Sequence, residues 1–190
     1  MRRMRRLWVA LLLALLVVAT VVGVALAGSN SAPVPQPLQA TSRTMTVSAS
    51  GCYPIEDGQL YYNNGRNIAG EQDAPLQTFI CPVYFPEFAS RHNIQSVTMY
   101  CYDQHTWSGD QYDVVAHMYR TEPALGDTET YMGTVRSTGS SSTNPRAFTI
   151  SGTQINPKVV YPRQGVYFWV RFVGHSNLKL YGFKINYTIP

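Results

Sequence analysis

Beyond its first six residues the chain carries no cluster of basic side chains. The formal net charge is +4, but Arg2, Arg3, Arg5 and Arg6 supply all of it: without them, eleven Lys and Arg face eleven Asp and Glu. Lys158, Lys179 and Lys184 stand apart from one another. There is no phosphate-tracking stripe, so no nucleic-acid partner is expected. Helical periodicity is missing as well. No window of a dozen residues past the N-terminus repeats its apolar groups at three and four, which argues against a helical fold.

Catalytic signatures are equally scarce. His92, His105, His117 and His175 stand singly, and the chain has no His-x-x-x-His, no Gly-x-Ser-x-Gly and no Cys-x-x-Cys. Zinc chemistry and the common hydrolase mechanisms thereby lose their usual sequence evidence. Glu56, Asp57, Glu71 and Asp73 fall in a polar stretch that reads as solvated loop. His117 reads as an exposed cross-strand residue. The expectation is a protein that is not an enzyme, with no catalytic residue nominated.

Cysteine is also sparse: Cys52, Cys81 and Cys101 can form at most one internal bridge. If Leu76 to Phe85 and Ile94 to Asp103 form a hairpin centred near Arg91, Cys81 and Cys101 lie opposite each other on adjacent strands. That pairing is favoured, with Cys52 bridged to one of them as the rival. The remaining thiol reads as buried and inert, because no neighbour in sequence marks a thiolate environment.

One long apolar run is present, at the N-terminus. It spans Leu7 to Ala27, long enough at about 1.5 Å per residue to cross a bilayer of roughly 30 Å as a helix. Its length suits a retained signal-anchor. The small residues Ala25 and Ala27 before Gly28 suit cleavage of a signal peptide between Ala27 and Gly28, which is the favoured reading. The arginines hold the other end inside, so both readings export the rest of the chain, as a secreted or cell-surface protein that meets a membrane only through this leader. Residues 28–43, rich in Ser, Pro, Gln, Ala and Thr, read as a flexible tether, and 44–190 as one folded domain.

In that domain the apolar period is two. Met45, Val47 and Ala49 share one face in "TMTVSAS". Val97, Met99 and Cys101 oppose Ser96, Thr98, Tyr100 and Tyr102, and Val114, Ala116 and Met118 oppose Asp113, Val115, His117 and Tyr119. Phe183, Ile185 and Tyr187 align in the last strand. Turn signals such as Asn63-Asn64-Gly65 and Ser108-Gly109-Asp110 punctuate these runs. Short strands with one apolar face must stack as sheets, which predicts an antiparallel β-sandwich of about eight strands, jelly-roll or immunoglobulin-like.

"CPVYFP", "SVTMYCYDQ", "YDVVAHMYR", "YFWVRF" and the closing "LKLYGFKINYTIP" together resemble a group of uncharacterised exported bacterial β-sandwich proteins. The resemblance covers most of Phe79 to Pro190. It implies a fold and an exported setting, and no activity or site residues.

The segment "YCYDQHTWSGDQYD" places Asp103, Asp110 and Asp113 beside Tyr102, Trp107 and Tyr112. Oxygen ligands of this kind suit Ca²⁺, and exposed aromatic rings stack on the apolar face of a sugar, although a polar hairpin turn accounts for the same composition. The thirteen tyrosines include Tyr100, Tyr102 and Tyr119 on faces turned from the core, where rings stiffen a sheet or form a contact surface. The functional expectation is a non-catalytic interaction module for a surface protein or glycan. Its alternatives are a lectin-like carbohydrate-binding domain, Ca²⁺-assisted through that loop, and then an extracellular hydrolase.

Overall fold

The computed structural model describes residues 39–55, 61–70, 74–86, 90–104, 113–122, 128–137, 144–174 and 178–190. The chain divides after residue 38, and all described residues belong to the unit Gln39–Pro190. The leader, its Ala27–Gly28 bond and the tether up to residue 38 lie outside them. No helix among the described residues is long and apolar enough to cross a membrane.

Twelve strands are seen among the described residues: β1 (Thr41–Ser48), β2 (Tyr53–Pro54), β3 (Tyr61–Asn63), β4 (Ile68–Gly70), β5 (Ala74–Val83), β6 (His92–Asp103), β7 (Val115–Glu122), β8 (Thr128–Arg136), β9 (Arg146–Ser151), β10 (Val159–Val160), β11 (Gly165–Gly174) and β12 (Leu178–Ile189). They form a β-sandwich of two antiparallel sheets. The larger runs β10-β6-β12-β4-β3, with β1 also on β12 and β9 also on β6; the smaller runs β2-β5-β11-β7-β8. The period-two pattern forces this: Val97, Met99 and Cys101 are wholly buried while Tyr100 between them is exposed. β1 begins at Thr41 and pairs with β12 from there to Ser48, so the end of the expected tether, Thr41 to Arg43, belongs to the sheet.

Each long strand of the larger sheet serves two short neighbours on one edge. β12 pairs with β6 along its length, then takes β4 at Lys179 and Leu180 and β1 from Gly182 onward. The hand-over falls at a bulge between Leu180 and Gly182, where Gly182 has φ +139° and a Cβ would lie 2.2 Å from the Val47 carbonyl oxygen. No residue with a side chain fits there. The bulge also switches parity: Leu178 and Leu180 face inward before it, and Phe183, Ile185 and Tyr187 after it.

Between the sheets the core is dominated by phenylalanine. Phe168 of β11 stacks on Phe183 of β12 with centroids 3.9 Å apart, and Phe79 stacks on Phe172 at 5.4 Å. Burial of such a ring is worth about 1.5–3 kcal/mol. The turn from β3 to β4 forms where Asn63-Asn64-Gly65 predicts it: Asn63 Oδ1 accepts from Gly65 N–H at 3.0 Å and Asn64 Oδ1 from Arg66 N–H at 3.0 Å, with Gly65 at φ +78°.

The expected Cys81–Cys101 bridge is replaced by Cys52–Cys81, with Cys101 left as a buried free thiol. β5 and β6 do not form a hairpin. β5 pairs with β2 and β11 in the smaller sheet, and β6 with β9, β10 and β12 in the larger, because the chain between them crosses from sheet to sheet. Cys52 instead directly precedes β2, whose Tyr53 pairs with Ile80, which sets Cys52 opposite Cys81 with Cα atoms 4.2 Å apart.

Candidate functional site

The aspartates at the two ends of the loop singled out in the sequence are buried rather than displayed. Asp103, at the end of β6, is 3% exposed and Asp113, before β7, is 1% exposed. Ser137 Oγ donates to Asp103 Oδ2 and accepts from Val114 N–H at 2.8 Å. Asp113 Oδ2 pairs with Arg136 Nε at 3.4 Å. These groups tie the end of β6, the start of β7 and the end of β8 together. Asp110, Trp107 and Tyr112 lie outside the described residues, and among those described no three metal-ligating side chains gather. Tyr102 is half-buried on the outer face of the larger sheet, with Lys179 Nζ 5.3 Å from its ring centroid.

Beside Asp103 sits the Cys101 thiol. Burial first, and then the Asp103 carboxylate, push it up to about 12, the environment of a structural cysteine rather than a nucleophile. Asn186-Tyr187-Thr188 has the spacing of an N-glycosylation sequon, but the Asn186 amide is engaged: its Nδ2 donates to Ser96 at 2.8 Å and its Oδ1 accepts from Thr44 at 2.8 Å.

Aromatic side chains gather on the other sheet. In β11, Val166, Phe168, Val170 and Phe172 fill the core, which turns Tyr167, Trp169 and Arg171 outward. In β7, Ala116 and Met118 face in, and His117 and Tyr119 face out. Strand register then aligns two rows across the sheet. One runs Tyr53, Ile80, Trp169, His117, Thr134. The next runs Pro82, Tyr167, Tyr119, Tyr131.

The rings touch along and between these rows. His117 stacks on Trp169 at 5.4 Å and Tyr119 on Tyr167 at 5.5 Å, while Tyr131 meets Tyr119 edge-on at 5.8 Å. Hydrogen bonds fix their outer ends. The Thr134 hydroxyl lies 2.7 Å from His117 Nδ1 and 2.6 Å from the Tyr131 hydroxyl, and Tyr167 O–H donates to Glu129 Oε1 at 2.6 Å. Desolvation, and next the Glu129 carboxylate, raise the Tyr167 phenol above its ordinary value, so it remains a donor. Arg171 lies with its guanidinium carbon 5.9 Å from the Trp169 ring centroid. The result is a shallow groove of about 320 Å³ lined by Ile55, Ile80, Tyr119, Glu129, Tyr167 and Trp169. Tyr53 and Tyr131, at its flanks, are about half exposed.

Of these residues the sequence singled out Tyr119 as an outward ring and His117 as a polar-face residue. The signal available for the rest was "VYFWVRFV", a strand apolar and aromatic on both faces. One face must fill the core, and the other then shows a Tyr and a Trp to solvent.

No protein-family model matches the chain, and no curated protein matches it. Solved structures to which it is similar are β-sandwiches at low identity. One is the CBM36-1 domain of a multidomain xylanase from the hindgut metagenome of Trinervitermes trinervoides, at 13% identity and TM-score 0.43, covering 76% of this chain and 96% of that one. Another is the xylan-binding module CBM15, at 7% identity and TM-score 0.43, covering 77% and 97%. A third is a CBM29-2 module, a family 29 carbohydrate-binding module, at 9% identity and TM-score 0.36, covering 79% and 93%. Identities this low leave ligand and residue roles to be argued from the chain's own surface.

Proposed function

We propose that the protein is a non-catalytic, exported glycan-binding module whose binding face is the outer surface of the five-stranded sheet. The observation that carries this reading is the pair of cross-sheet rows that bring Tyr53, Trp169, His117, Tyr119, Tyr167 and Tyr131 to one exposed face. A pyranose ring has an apolar C–H face and a polar hydroxyl edge. Aromatic faces take the first, and tyrosine hydroxyls, His117, Thr134 and Glu129 stand where they can bond the second. Strands about 4.8 Å apart set the rings at intervals suited to an extended chain. The openness of the groove suits a polymer passing over the surface better than an enclosed small molecule.

Hydrolysis would require two carboxyl groups flanking one bond. Glu129 is the one carboxylate among the described residues lining this groove.

Screening the purified domain on an array of plant, fungal and bacterial polysaccharides tests the proposal. The expected result is binding to at least one polymer, lost at least tenfold in Trp169→Ala with the melting transition retained. An array without hits, or hits that Trp169→Ala leaves unchanged, would overturn it.

A further inference from the structure

The aromatic face carries a carboxylate, Glu129, at one end. Glu129 is exposed and stands in β8 opposite Thr121 of β7, beside the Tyr119–Tyr167 stack. Tyr167 O–H anchors Oε1 at 2.6 Å, and Oε2 makes no hydrogen bond among the described residues. A carboxylate is an acceptor only. Fixed beside a stacking platform, it meets the edge of a ring lying on that platform, where two adjacent equatorial hydroxyls offer two donors to its open lone pairs. An anionic ring in the same place offers no such donors at its charged group and is repelled at short range.

Resting on the proposed glycan reading, we infer that Glu129 makes the Tyr119–Tyr167 end of the groove a subsite for a neutral pyranose with two adjacent free hydroxyls, and bars a uronate or sulfated ring from it. The neighbouring tyrosine supports this, since a phenol raised by burial and by Glu129 keeps donating to Oε1 and holds the carboxylate in place across the neutral range. Arg171 lies four positions along β11 from Tyr167, about 13 Å at strand rise, with its guanidinium against the Trp169 ring.

Affinity electrophoresis in gels containing hydroxyethylcellulose, glucomannan, xylan or polygalacturonate reads the outcome directly, with isothermal titration against a hexasaccharide of whichever neutral polymer retards the protein. The wild type is expected to be retarded by at least one neutral polymer and not by polygalacturonate. Glu129→Gln, which keeps size and folding but loses the charge, is expected to weaken neutral binding about tenfold or more and to admit polygalacturonate. Tyr167→Phe, which frees the carboxylate while keeping the stack, should weaken neutral binding less than Glu129→Gln. Wild-type binding to polygalacturonate, or a Glu129→Gln variant indistinguishable from wild type, would overturn the inference while the glycan reading stood. Absence of any retardation, in wild type and Trp169→Ala alike, would remove the glycan reading and this inference with it.

Discussion

At the scale of single residues, Ser137 joins two buried groups. Its hydroxyl satisfies both the Asp103 carboxylate and the Val114 amide. Ser137→Ala removes one hydrogen bond from each of these buried groups and is expected to cost about 1.5–3 kcal/mol, read as a lowered urea midpoint. Cys101 responds to pH. A thiol held at about 12 against 9.0 contributes its stabilisation fully below pH 9 and loses it as pH climbs toward 12, because only the unfolded chain gives up that proton in between. Thermal melts should therefore drop on the alkaline side, and less steeply in Cys101→Ala if that variant folds. Iodoacetamide at pH 8 should label Cys101 only after denaturation. The sequence leads to a buried free thiol but assigns it to Cys52, whereas Cys101 is the free one, because alternation places Cys81 and Cys101 inward without saying from which sheet.

At the scale of elements, the hand-over on β12 depends on a glycine. Gly182→Ala sets a methyl against the Val47 carbonyl at a backbone angle that L-residues avoid. The expected cost is about 1–3 kcal/mol, with hydrogen exchange rising first in β1. The strands themselves were legible: the inward sets Val97, Met99, Cys101 and Phe183, Ile185, Tyr187 are buried as their spacing requires. What spacing does not carry is the partner of a strand. A hairpin and a crossover between sheets show the same alternation, so "CPVYFP" and "SVTMYCYD" read as neighbours when they lie in different layers. Bulges are silent for a related reason. At Gln95 and Tyr181 one extra residue shifts the face, and either segment on its own still alternates. The aromatic face was hidden because it requires β2, β5, β11, β7 and β8 to be placed in order before its two rows exist. A loop with Asp and Trp close in sequence is visible without any such step.

At the scale of the whole molecule, one covalent link joins the residue before the edge strand β2 to its neighbour β5. Cys52–Cys81 closes a span of 29 residues, for which chain-entropy arguments give about 3–4 kcal/mol. Dithiothreitol, or the Cys52→Ser and Cys81→Ser double variant, should lower the melting temperature accordingly. Because Cys52 also fixes Tyr53 and Ile55 at the edge of the groove, reduction should weaken glycan binding at temperatures where the sandwich remains folded. An oxidising exterior is where such a link persists, in keeping with the proposed export. N-terminal sequencing of the native protein checks that proposal, with Gly28 expected as the first residue.

The pairing of β1 with β12 carries a consequence of another kind. Thr41 is the register partner of Ile189, so the folded unit begins and finishes on neighbouring rungs of one ladder. The order of strands along the chain is therefore separable from their order in space. A circular permutant that joins the two rungs through a few glycines and opens the Ser-rich connection between β8 and β9 should assemble the same two sheets. Its new ends would leave from a different rim, turning the groove toward whatever surface the designer attaches it to.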